Sequence, residues 1–103
     1  LMDILKTDYI NSLLDIYAEL LTPYQQEIMD LYYQEDLSLK EIADEKEISR
    51  NAVFTLINRV EKILINYEEK LHLLDKRRRI QDELDSETNI DVLKAKLESI
   101  LDE

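Results

Sequence analysis

Ser38-Leu39-Lys40-Glu41-Ile42-Ala43, then four residues, then Ile48-Ser49-Arg50-Asn51-Ala52-Val53-Phe54-Thr55-Leu56-Ile57-Asn58-Arg59 is the stretch whose reading decides the fold. Ser38 can cap a helix, and Glu41, three residues on, can reach back to close a capping box. Ser49 offers a second cap, so a new helix opens at Arg50. Ile42 and Ala43 face the crossing of the two helices, where a small residue permits close approach. Ile48 plugs the turn, and Val53 and Ile57 bury the inner face of the second helix. This is the spacing of a helix-turn-helix over residues 38–60, with a crossing of about 90 to 120° that leaves the first half of the second helix uncovered. Glu47 stands where such turns usually carry Gly. The left-handed conformation costs a residue with a Cβ roughly 1 to 2 kcal/mol, so a looser or differently shaped turn is expected.

On the second helix, Ala52, Val53, Leu56, Ile57 and Val60 form the inward set. Arg50, Asn51, Phe54, Thr55, Asn58, Arg59 and Lys62 then point outward. Their chemistry suits base edges: Arg presents a fork to guanine, Asn pairs with adenine, and Thr or Phe touches a thymine methyl. Lys62 and Lys40 suit phosphates, and the N–H groups at the helix start favour an anion.

Working outward, Ile10, Leu13, Leu14, Tyr17, Leu20 and Leu21 recur three and four apart and predict a first helix between Ile4 and Leu21. Thr22-Pro23-Tyr24-Gln25 starts a second, with Thr22 as cap, Pro23 at the first helical position and Gln25 closing the box. It runs to about Tyr33 and buries Ile28, Leu31 and Tyr32. Downstream of Arg50 the seam Val53, Leu56, Ile57, Val60, Ile63, Leu64, Tyr67, Leu71 and Leu74 predicts one long fourth helix. Charge interrupts that seam at Lys76-Arg77-Arg78-Arg79, and residues 85–89 are the expected break. Asn89 caps a last helix, Ile90 to about Leu101, whose stripe needs either the long helix or a second chain as cover. The expected organisation is a bundle over residues 1–75 and a helical extension over 76–103 that pairs two chains.

Composition agrees with an all-α fold. Gly is absent and Pro occurs once in 103 residues, so the positive-φ turns of hairpins have almost no suitable residues. With no Cys there is neither a disulfide framework, nor a thiolate metal site, nor a Cys nucleophile. No apolar run is long enough to span a bilayer, and the first residues do not read as a secretory leader, so a cytoplasmic location is expected. The single His, His72, lacks a spaced second ligand and reads as a surface or interface residue. Glu68-Glu69 and Asp82-Glu83 read as carboxylates on exposed helix faces, without the burial that tunes an acid and a base. No enzyme constellation, metal site or cofactor motif stands out. Tyr9, Tyr17, Tyr32 and Tyr67 fall on apolar stripes and read as core or interface.

The formal net charge is −11. It divides unevenly: −9 over residues 1–49, +4 over 50–79 and −6 over 80–103. An anionic partner could dock only at the central basic island. Within it Lys76, Arg77, Arg78 and Arg79 form a secondary basic site, or simply a solvated face. The acidic neighbours Glu41, Asp44, Glu45 and Glu47 predict modest, strongly salt-dependent DNA affinity.

From Leu21-Thr22-Pro23-Tyr24-Gln25-Gln26 through Leu31-Tyr32-Tyr33 to the two capped segments, the chain resembles the region-four helix-turn-helix of bacterial sigma factors. Asn58-Arg59-Val60-Glu61-Lys62-Ile63-Leu64 and Tyr67-Glu68-Glu69-Lys70-Leu71-His72-Leu73 extend the likeness to the small YlxM-type family, up to about Leu74. Beyond that the match is only in being helical and acidic. The resemblance implies a sigma-like fold, a gene beside those for the signal recognition particle protein and its receptor, and a regulatory or accessory role there. Two readings follow. In one, a homodimeric DNA-binding regulator reads the major groove with Arg50 to Lys62. In the other, an accessory protein touches signal recognition particle RNA or protein through the basic island, and the helix-turn-helix is a scaffold.

Overall fold

The local capping signals are realised where the residues put them. A computed structural model describes residues 2–103. Its order is α1 (Met2–Tyr17), a 3-10 turn (Ala18–Leu20), α2 (Pro23–Tyr33), α3 (Leu39–Lys46), α4 (Arg50–Leu71), α5 (Leu73–Ser86) and α6 (Ile90–Leu101). Among the described residues the regular structure is all helical. None of the helices is long and apolar enough to cross a membrane.

Three of these starts have the same cause. The Thr22 hydroxyl accepts the Gln25 N–H at 3.2 Å while Gln25 Oε1 accepts the Thr22 N–H at 3.0 Å. Ser38 and Glu41 repeat the exchange at 3.1 and 2.9 Å. Ser49 Oγ accepts the Ala52 N–H at 3.0 Å to open α4. Each cap satisfies N–H groups that a helix start leaves without a partner, a gain of about 1 kcal/mol apiece.

The chain forms two compact units that meet after Lys70. In the first, Ile10, Leu13 and Tyr17 of α1, Ile28 and Met29 of α2, Ile42 of α3, and Val53, Val60 and Leu64 of α4 are almost fully buried. Burying one such side chain contributes about 1.5 to 3 kcal/mol before entropy is counted. These side chains, drawn from all four helices, form the core of the first unit. Met29, absent from the expected core, completes it, whereas Tyr32 is half-buried. Leu20, expected on the first helix's stripe, lies in the 3-10 turn and is 55% exposed. The tighter turn rotates it off the face that Tyr17 occupies.

The turn between α3 and α4 is not loosened by Glu47. That residue takes φ 56° and ψ 42°, the left-handed geometry itself, and the Ile48 N–H closes onto the Ala43 carbonyl at 3.1 Å. The protein keeps the short turn at a conformational cost instead of reshaping it.

The single long fourth helix is corrected by the structure. His72 adopts φ 55° and ψ 28°, ending α4 at Leu71 and starting α5 at Leu73. His is among the residues that tolerate this region, but no Gly or Pro marks the site. In the second unit α6 runs back along α5, with Lys96 reaching Glu83 at 3.3 Å and Glu87 at 3.4 Å. Leu74 and Ile100 are buried there, and Ile80, Leu93 and Leu97 are half-buried. The cover for the last helix is therefore the segment that the sequence pattern had joined to the fourth.

Candidate nucleic-acid interface

The helical period assigns α4 two faces with opposite chemistry. Val53, Ile57, Val60 and Leu64 are buried, and their repeats of three and four lie along one side. Asn51, Thr55, Arg59 and Lys62 fall on the opposite side and are exposed, as is Arg50 at the helix start. A shallow groove of about 520 Å³ runs along this outer face, lined by Thr55, Asn58, Arg59, Lys62, Ile63 and Asn66. Asn66, one turn past Lys62, was outside the sequence-based candidate set; the same period would have reached it.

Not all of the expected residues face the same way. Asn58 is half-buried, and Phe54, although 52% exposed, helps to wall a crevice with Tyr33 and Leu39. Ala52, expected inward, is exposed, and Leu56 is only half-buried. The inner face is narrower than the sequence pattern suggested, because Ala52 and Leu56, one turn apart, lie together on one flank of it.

Charge is divided along the same line. Lys40 is paired with Asp44 at 3.1 Å, Lys46 with Glu27 at 2.6 Å, and Lys6 with Glu61 at 3.1 Å. The acidic half of the first unit thus absorbs its own lysines. Among the described residues, no carboxylate lies within ion-pair distance of Arg50, Arg59 or Lys62. Arg50 stands at the helix start, and Arg59 and Lys62 lie two to three turns on. This is the disposition expected of a helix flanked by phosphates.

The secondary basic run is divided. Lys76 donates to the Glu103 carbonyl at 3.0 Å, and Arg79 makes a two-pronged contact with the Glu103 carboxylate as well as a 3.4 Å contact with Asp75. The Arg79 hydrogen bond holds the Glu103 carboxyl below its ordinary range. Arg77 and Arg78 are exposed.

Glu68 overturns the expectation that the Glu68-Glu69 pair is exposed, and Glu61, a second carboxylate on α4, is buried with it. Glu68 and Glu61 are 9% and 7% exposed. Glu68 accepts from Tyr17, and Glu61 accepts from Tyr33 as well as pairing with Lys6. Seven residues apart, they share the buried side with Leu64 and tie α4 to α1 and α2. Burial and the Glu61 carboxylate push the Tyr33 hydroxyl well above its ordinary range.

A family model described as "Putative helix-turn-helix protein, YlxM / p13 like" matches residues 4–102. A UPF0122 protein of Lactococcus lactis subsp. cremoris (strain MG1363) is 54% identical over 72 residues, 70% of this chain and 65% of the relative. One from Clostridium kluyveri is 47% identical over 73 residues, 71% and 66% respectively. One from Exiguobacterium sibiricum is 55% identical over 71 residues, 69% and 67%. The chain spans about two thirds of the length of these curated relatives. With a match over nearly its whole length, on a chain whose α3 and α4 have the geometry just described, the protein belongs to the YlxM/p13-like helix-turn-helix family.

Proposed function

We propose that the protein is a DNA-binding regulator that lays the first half of α4 in the major groove. The observation that carries this reading is the division of α4 into a buried apolar face and an open face bearing Asn51, Thr55, Arg59 and Lys62. Asn51 and Thr55 supply base-edge chemistry, and Arg50, Arg59 and Lys62 supply phosphate or guanine contacts. Asn66 and Asn58 extend the same surface. The acidic remainder of the chain keeps non-specific affinity low.

Fluorescence anisotropy with a pool of random duplexes, followed by selection of bound sequences, tests the reading. Enrichment of a motif, lost in Arg59→Ala and retained in Lys94→Ala, supports it. Absence of any salt-sensitive duplex binding at low ionic strength removes it.

A second reading has its own support in Arg77 and Arg78, which are exposed in the second unit. On this reading the chain is an accessory protein that contacts signal recognition particle RNA or protein there. It predicts particle binding that Arg77→Ala/Arg78→Ala abolishes and Arg59→Ala does not.

We propose also that two copies pair through the α5–α6 hairpin, whose Ile90 and Leu101 are 77% and 68% exposed. Sedimentation of a dimer that Leu101→Glu dissociates supports this, and a monomer at high concentration removes it.

A further inference from the structure

Two adjoining crevices open beside α4 in the first unit. The inner, of about 130 Å³, is walled by Tyr32, Tyr33, Leu39 and Phe54, with Lys6, Asn58 and Glu61 at its polar end. The outer, of about 410 Å³, shares Thr7, Tyr32 and Tyr33 and is rimmed by Asp36, Ser38 and Glu41. We propose that this double crevice binds a small organic cation of the aliphatic di- or polyamine class, with its apolar body against the aromatic rings and its ammonium groups toward Asp36 and Glu41.

The size and walls suit such a ligand. The outer volume is within the roughly 300 to 1,000 Å³ range of small-molecule sites, which combine apolar walls with a few converging polar groups. Tyr32 and Tyr33 meet edge to face at 5.0 Å, and aromatic faces attract cations. Charge then selects the class. The inner carboxylate, Glu61, is already compensated by Lys6 at 3.1 Å. Asp36 and Glu41 have no cation within ion-pair distance among the described residues. Glu41 stays ionised, because the Ser38 N–H and hydroxyl hold its carboxyl below the ordinary range. A phosphorylated ligand would be repelled by this rim. A hard metal ion would find too few oxygens, and the described residues contain no cluster of metal-ligating side chains.

Occupancy would also offset the acidic charge of Asp36 and Glu41 at the start of the helix-turn-helix. That consequence rests on the DNA reading; the binding site itself does not.

The test uses the chain without DNA, titrated with putrescine and followed by amide chemical shifts. Saturable shifts at Tyr32, Tyr33 and Phe54 are expected with a Kd on the order of 1 mM, the scale of a few weak contacts to a small ligand. The isosteric neutral 1,4-butanediol should bind at least about tenfold more weakly, since only the charge differs. Asp36→Asn should weaken putrescine about fivefold and Phe54→Leu about threefold, with dispersed spectra showing that both variants fold. Arg59→Ala, outside the crevice, should leave putrescine binding unchanged whatever it does to DNA. Equal binding of butanediol, non-saturating shifts spread over the acidic surface, or wild-type affinity in both crevice variants would overturn the proposal.

Discussion

The Tyr17 hydroxyl donates to Glu68 Oε1 at 2.7 Å across 51 residues of chain, joining the end of α1 to the last turns of α4. The Tyr17 ring also lies 5.7 Å from that of Tyr67, so a hydrogen bond and a ring contact clamp the same place. A buried carboxylate that loses a donor loses part of what offsets its desolvation. Tyr17→Phe should therefore lower stability by about 1 to 3 kcal/mol in urea unfolding. The double variant Tyr17→Phe/Glu68→Leu should recover much of that loss, since removing both partners of a buried pair costs less than removing one. If the two losses simply add, the clamp is not the cause.

Tyr33 makes a distinct prediction about pH. Burial first, then its hydrogen bond to Glu61, raises its pKa above the ordinary 10.0. A raised folded-state pKa means that the native protein holds the proton more tightly than the unfolded chain does. The stabilisation is complete below pH 10 and is lost above it, at up to about 1.4 kcal/mol per pH unit for one proton. Absorbance at 295 nm should show tyrosine ionisation that waits for unfolding, and Tyr33→Phe should reduce its amplitude and flatten the loss of stability above pH 10. Six tyrosines titrating together in the folded state would contradict this.

Backbone conformation supplies the third prediction. Glu47 and His72 both occupy the left-handed region at φ 56° and 55°, where a Cβ costs roughly 1 to 2 kcal/mol and Gly costs almost nothing. Glu47→Gly should raise stability by about 1 kcal/mol, less what the unfolded chain gains in freedom. A melting temperature unchanged or lowered by Glu47→Gly would mean that the turn is relaxed with Glu in place.

Much of this fold is written in short-range sequence signals. Ser38, Glu41, Thr22, Gln25 and Asn89 act within three residues of their own position, so their caps could be read directly from neighbouring letters. Val53, Ile57 and Val60 follow the helical period, and with Ile42 and Ala43 they are buried as their spacing predicts. The buried pairs Tyr17–Glu68 and Tyr33–Glu61 were not visible. Each joins residues far apart in the chain, and a Glu on a helix looks solvated until its partner is known. The break at His72 was hidden for the opposite reason: Leu71 and Leu74 keep the three-residue spacing, and one reversed dihedral leaves no compositional mark. The outward face of α4 was legible in Asn51, Thr55, Arg59 and Lys62. Phe54, read as outward, is 52% exposed and also walls a crevice with Tyr33 and Leu39, which only tertiary packing creates.

The ion pairs argue for a graded electrostatic outcome on the DNA reading. Among the described residues Arg59 has no ion-pair partner, whereas Lys40 is held by Asp44 at 3.1 Å. Arg59→Ala should therefore weaken duplex binding and reduce the slope of log affinity against log salt by about one, the loss of a single phosphate contact. Lys40→Ala should change both much less, because its charge is already offset. Asp44→Asn should act in the opposite direction: releasing Lys40 and removing a carboxylate near the helix-turn-helix should strengthen binding about two- to fivefold at low salt, with the gain fading as screening grows. Anisotropy titrations at several salt concentrations separate the three variants. If Asp44→Asn weakens binding, Lys40 does not approach phosphate, and the contact surface is confined to α4.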